Sequence, residues 1–390
     1  MMTEPTQEEI ISIVYSIFDV KDMIVNPEDL QFKIDDNNFK DKFVSLARQL
    51  EFRNRVARLE KSSRQFEEKN QQELEYSNLT DWQKEAEKER ANEMFIFVTK
   101  LPQMKRKWLS KSWIPRILFA VTVAMVLIDG YYRTDFVNTL SFIGNPAEMS
   151  VLYAFSLIGI LGVHESGHLI AAKKHKIRTT WPYFIPGVPV FGIPTFGALI
   201  QSRGLTINRD ILFDVAIAGP IAGLVIAIIV SMFGALTSPE IDNALADELY
   251  SESQLMKMNL PIFMTVSLEI FDKGGDDTHV VMSPIFFAAW IGFLITFLNL
   301  LPAWQLDGGH MARALFGKKW HKIATYASMG VLVALGYWFM ALFILILDTR
   351  SRDARPLDDI SPLSKNRKKM FIVVVILGFL CAPLPFSILP

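Results

Sequence analysis

The residues His164-Glu165-Ser166-Gly167-His168 close an apolar stretch of the chain, and their types and spacing could hold a metal ion and activate water. On a helix turning 100° per residue the two histidines lie within about 40° of each other, one turn apart. Both imidazoles can therefore reach one ion. Glu165 projects roughly 60–100° away around the axis, flanking such an ion without binding it, as suits a general base. Ionisable side chains within an apolar span are expensive and usually mark function, which weighs against three groups that merely satisfy one another.

Two histidines leave a catalytic metal one protein ligand short of the usual three. His175 is the nearest candidate, but the extended pattern of soluble proteases needs a third His six residues after the second, where this chain has Lys174. His175 is expected instead at the surface of the span end. The better candidates lie in Asn299-Leu300-Leu301-Pro302-Ala303-Trp304-Gln305-Leu306-Asp307-Gly308-Gly309-His310, with His310 as a residue able to support a ligand from behind. Cys381 is the single cysteine, so neither an internal disulfide nor a cysteine-based metal cluster can form.

The elements that must position these residues are mostly apolar helices. The chain has 390 residues, 51% of them hydrophobic, yet residues 1–112 are rich in charged and amide side chains. The apolar mass lies downstream, in runs near the roughly 20 residues needed to cross a bilayer. Six spans are expected, at about 115–132, 150–173, 211–236, 283–303, 323–347 and 370–389. Lys105, Arg106, Lys107, Lys111 and Arg116 precede the first span and place the N-terminal domain inside. Lys173, Lys174, Lys176 and Arg178 place the end of the second span there too, and the 237–282 loop, with nine acids against two lysines, is expected outside. The basic 348–370 loop conflicts with this scheme, so the orientation pattern breaks down after residue 322. Asp214, at the start of the third span, is expected to pair with Arg209, and Gly219-Pro220 to kink that span.

Residues 181–200 (WPYFIPGVPVFGIPTFGALI) are apolar but carry Pro182, Pro186, Pro189 and Pro194 and three glycines, so no single helix can form. A re-entrant or hairpin segment lining a wet cavity is expected. At the other end, Ile10, Ile11, Val14 and Ile17 recur at helical spacing while Leu30, Phe32 and Ile34 alternate with polar residues, which predicts a small α+β domain. The charged run from about 60 to 93 reads as a solvated linker, and 94–101 as a returning strand. A net charge of −1 gives no basic surface for nucleic acid. The acidic, polar start carries no signal-peptide pattern, which leads to an expectation of a prokaryotic plasma membrane with the active site towards the cytoplasm.

The HExxH span paired with an NxxPxxxLDG segment two spans later resembles the site-2 protease family of intramembrane metalloproteases, over roughly residues 115–320. Gly197-Ala198, Arg209 and the Asp214…Ala218-Gly219-Pro220 run resemble its archaeal and plastid-type branches. The resemblance implies one Zn2+ per chain held by His164, His168 and Asp307, with Glu165 as catalytic base. It implies that Asn299 holds the scissile peptide or its oxyanion, and that the Gly197-Ala198 segment offers a strand edge to an unwound substrate. The substrates implied are single-span or other membrane proteins within the lipid bilayer. The domains expected are a soluble domain (1–112), a protease core (113–320) and C-terminal helices (321–390) that could gate it. Two features depart from the pattern: Trp304 is bulky where smaller residues are expected, and the 237–282 loop is too short for a PDZ domain. A metal transporter or a non-proteolytic scaffold are the alternatives; a transporter gives Glu165 no task.

Overall fold

The computed structural model describes residues 5–26, 29–36, 38–61, 93–101, 113–188, 193–199, 205–252, 255–350 and 355–384. Most of the expected charged linker lies outside these residues. The chain forms two compact units.

The first unit comprises residues up to Arg106 together with Leu205–Leu212 and Arg355–Leu363. It is the expected small α+β fold: α1 (Gln7–Ile17), β1 (Val20–Val25), β2 (Asp29–Ile34), α2 (Phe39–Glu51), β3 (Arg55–Lys61) and β4 (Met94–Lys100). Thr6 caps α1 by accepting from the Glu9 amide at 3.2 Å. All four strands run antiparallel in the order β1-β2-β4-β3, so the returning strand sits in the middle of the sheet. Leu30, Phe32 and Ile34 all point into the core, meeting Ile10, Val14, Phe43, Leu46, Leu50 and Ile96. The two later segments join this unit at the β3 edge. The Leu59 amide donates to the Leu357 carbonyl at 3.0 Å, and Asp358 bridges to both Leu59 and Asn208. Arg209 pairs with the buried Asp359 at 3.1 Å, and Lys40 with Asp210 at 2.7 Å.

The second unit is helical. Among the described residues, three helices are long and apolar enough to cross a membrane: α3 (Ile114–Leu140), α4 (Pro146–Lys174) and α5 (Arg209–Thr237), the first turn of the last belonging to the first unit. After α5 come β7 (Glu240–Asp242), α6 (Asn243–Ser251), α7 (Ile262–Ile270) and β8 (Thr278–Val280), with β7 and β8 paired antiparallel. A shorter apolar helix, α8 (Pro284–Leu300), follows, capped by Ser283, and buries Phe286, Ala289, Phe293 and Phe297 in the unit's main core.

The expected fifth span, 323–347, is two helices, α9 (Asp307–Ala334) and α10 (Trp338–Arg350). Gly336 takes φ +86, and its amide donates to Val333 while that of Tyr337 donates to Leu332, a Schellman stop that a purely apolar run conceals. The last helix, α11, runs Lys365–Cys381. The proline-rich segment between α4 and α5 is the expected hairpin: β5 (Tyr183–Val188) pairs antiparallel with β6 (Ile193–Leu199), bulged between Phe184 and Pro186. Phe184 packs edge-on against Phe119 of α3, ring centroids 5.0 Å apart.

Ionic groups are also buried between the helices. Asp129 of α3 accepts from Arg133 and from the hydroxyl of Tyr153 on α4, both at 2.7 Å, and the Arg133 guanidinium lies 3.5 Å from the centre of the Phe287 ring on α8. Asp214 does not pair with Arg209. Five residues on a helix turn the side chain by about 140°, so the two point to different sides. Asp214 is instead held by Arg367 of α11 through two bonds of 2.6 and 2.7 Å, and by His175 Nε2 at 3.1 Å. His175 is thus a partly buried partner at the end of α4 and not a surface residue.

Candidate active site

The HExxH residues occupy the last turns of α4, with His164 4% and Glu165 7% exposed. His164 Nε2 and His168 Nε2 are 3.2 Å apart, and each lies 3.3 Å from Oδ2 of Asp307. Three donors held about 2.0–2.2 Å from one tetrahedral ion stand roughly 3.3 Å from one another. The observed triangle has those edges, so the residues present fit a zinc-type ion and leave a fourth position for water or substrate.

The imidazoles are also turned the right way. His168 Nδ1 lies 2.8 Å from the carbonyl oxygen of Val215 on α5. A carbonyl can only accept, so Nδ1 carries the proton and Nε2 is left with its lone pair facing the triangle.

Close helix contact makes this possible. A Cβ on Gly219 would stand 2.1 Å from His168 Nε2, and one on Gly223 would stand 2.9 Å from the His164 Cβ. These two glycines, four apart on one face of α5, leave the space that the histidines fill. Gly219-Pro220 were expected to kink the span and let helices pack closely; the close packing is what Gly219 provides here, and α5 continues through Pro220. The signal that marks their role is the small-residue pair at helical spacing opposite an HExxH helix.

Asp307 opens α9, where its carboxylate also suits the positive end of the helix. Its approach depends on Gly308 and Gly309, whose Cβ atoms would meet the Leu300 and Trp304 carbonyl oxygens at 2.2 and 2.3 Å. Asn299, in the last turn of α8, brings Nδ2 to 3.4 Å from His164 Nε2. Among the described residues, His164, His168 and Asp307 are the one group able to gather a metal in this way. Gly197 and Ala198 lie on β6, where Gly197 has φ +92 and a Cβ would meet nothing within 4 Å. Thr195 braces that strand, donating to the Ile185 carbonyl at 2.9 Å and accepting from the Gly197 amide at 3.1 Å.

Residues 152–343 match the model of peptidase family M50. This is the site-2 protease family that the motifs resemble. The M50 stretch contains His164, Glu165, His168, Asn299 and Asp307, and with the three apolar helices it marks a membrane protein. The chain is 30% identical over 247 residues to the probable zinc metalloprotease EGY2, chloroplastic, of Oryza sativa subsp. indica, covering 59% of this chain and 42% of that protein. It is 28% identical over 245 residues to the probable zinc metalloprotease EGY1, chloroplastic, of Arabidopsis thaliana, covering 60% and 44%. With the probable zinc metallopeptidase EGY3, chloroplastic, of Arabidopsis thaliana it shares 24% over 303 residues, covering 72% of this chain and 50% of that protein. The chain thus spans half or less of the length of these relatives.

Proposed function

We propose that this chain is a zinc metalloprotease that cleaves membrane proteins within or beside their transmembrane segments. The observation that carries this reading is the triangle of His164 Nε2, His168 Nε2 and Asp307 Oδ2, with edges of 3.2 to 3.3 Å, beside the buried Glu165. The M50 match and relatives named as zinc metalloproteases support it.

When bound, zinc lowers the pKa of its water towards about 7 and polarises the scissile carbonyl. Glu165 takes the proton from the attacking water and returns it to the leaving amine. The Asn299 amide, beside His164, donates to the substrate carbonyl as it gains negative charge. Peptide bonds inside a helix are shielded, so the substrate must be locally unwound, and the β6 strand that carries Gly197 and Ala198 is read as the edge it adds to.

The finer architecture belongs to the same proposal. Six crossings are read from the apolar runs, the basic residues around the first two spans place residues 1–112 inside, and residues 321–390 are read as helices able to gate a 113–320 core. The relatives are chloroplastic by name and lend no support to a plasma membrane. Substrates are membrane proteins met in the bilayer, with no nucleic acid among the partners.

The test is zinc content measured together with cleavage of single-span reporter proteins, comparing wild type with Glu165→Gln. Zinc in both and cleavage only by wild type is the expected outcome. Equal cleavage by both, or no zinc in either, overturns the proposal.

A further inference from the structure

We propose that Thr325 and His321, which touch neither metal nor substrate, are positioning residues that fix the ligand-bearing loop between Asn299 and Asp307; this rests on the zinc-site reading above. The loop is tightly wound, with the Ala303 amide donating to the Leu301 carbonyl at 2.7 Å and the Leu306 amide to the Ala303 carbonyl at 3.1 Å. At its centre Trp304 takes φ +46, left-handed backbone that costs a non-glycine residue about 1 kcal/mol or more. Such a residue persists only where its surroundings over-determine it.

Two side chains from the second half of α9 do so. The Trp304 amide donates to Thr325 Oγ1 at 3.0 Å, and His321 Nε2 donates to the Trp304 carbonyl oxygen at 3.0 Å. Thr325 is 1% exposed, and its hydroxyl proton is already committed to the His321 carbonyl at 3.0 Å. Its oxygen is therefore free to accept from Trp304, and the polarity of the pair is set. His321 and Thr325 are one turn apart, so one helix face grips both polar groups of a single residue.

The grip reaches Asp307 through packing. The Trp304 carbonyl oxygen sits 2.3 Å from where a Gly309 Cβ would be, so the first turn of α9 rests directly on the gripped residue. Gly317, with φ 78 and ψ −175, interrupts α9 between Asp307 and His321. The stretch before it carries the ligand and the stretch after it carries the clamp. The metal triangle tolerates little movement at edges near 3.3 Å, and the clamp holds Asp307 and Asn299 in register with the histidines.

The experiment loads the purified full-length chain with Co(II) alone and reads its visible spectrum, its affinity in chelator competition and the melting temperature of the metal-free protein. Thr325→Val is expected to lose about tenfold in affinity, the lower end for outer supports of a metal site, and to alter the spectrum, while Thr325→Ser restores both. His321→Leu should behave like Thr325→Val, and His321→Gln, which keeps a donor, like wild type. The second pair carries the test should Thr325→Val fail to fold. Wild-type affinity and spectrum in both Thr325→Val and His321→Leu overturn the clamp. A wild-type chain that binds no Co(II) overturns the zinc-site reading itself, and is told apart because no variant then differs.

Discussion

The Nδ1 of His168 lies 2.8 Å from the carbonyl oxygen of Val215, so one ring nitrogen is tied to the backbone of a neighbouring helix and the other faces the metal triangle. Packing of α4 against α5 therefore sets the chemistry of the imidazole.

That packing predicts a graded response in α5. Gly219→Ala places a methyl 2.1 Å from His168 Nε2 and should remove metal binding and activity together. Gly223→Ala meets the His164 Cβ, which is fixed to the α4 backbone, at 2.9 Å, so the helices must part slightly and metal binding should fall, though less than at Gly219, where the clash is deeper and falls on the ligating nitrogen itself. Metal content of the two purified variants is the measurement; equal retention would contradict the account.

The Arg367–Asp214 pair should stabilise the helical unit. Both side chains are about a third exposed, so Arg367→Gln is expected to cost on the order of 1–2 kcal/mol, between surface and buried values. In a double-mutant cycle read by thermal melting, Arg367→Gln and Asp214→Asn should be strongly non-additive, whereas Arg209→Gln and Asp214→Asn should add.

Removing the Tyr153 hydroxyl leaves buried Asp129 with Arg133 alone. Tyr153→Phe should cost about 1–3 kcal/mol, the usual consequence of stranding part of a buried acceptor, and leave metal content unchanged. A melting temperature equal to that of wild type would show that the hydroxyl bond contributes nothing.

The β7–β8 pair should loosen in acid. Glu240 accepts from the Gly274 amide and the Thr278 hydroxyl at 2.9 and 2.8 Å, which hold its carboxyl below the usual carboxylate value. A depressed folded-state pKa contributes stability that is complete above the unfolded value, about 4.3, and is lost as pH falls through the folded one. Protection of the Gly274 amide, measured against its intrinsic exchange rate at each pH, should fall below that range, and Glu240→Gln should remove this pH dependence.

Much of the site was legible because its chemistry is local. HExxH fixes its own geometry on any helix, and the prolines and glycines of 181–200 exclude a helix whatever surrounds them. Leu30, Phe32 and Ile34 declared a half-buried strand by alternation alone. What escaped depends on partners distant in sequence. Asp214 was matched to nearby Arg209, but helix rotation separates them and residue 367 supplies the cation. Gly336 ended an apolar run that composition read as one span. The backbone grip on Trp304 has no side-chain signature at Trp304 itself; the residue stood out only as too bulky for its place.

Residues Leu205–Leu212 and Arg355–Leu363 fold with the N-terminal sheet, so that unit is assembled from three separate stretches of chain. No single cut can detach it. A truncation at residue 112 would take Lys40 from Asp210 in the first turn of α5, and would take the Leu59 amide from the Leu357 carbonyl ahead of α11. The sheet-bearing unit is drawn from three stretches of the chain, and any chimera that exchanges it must carry all three across together.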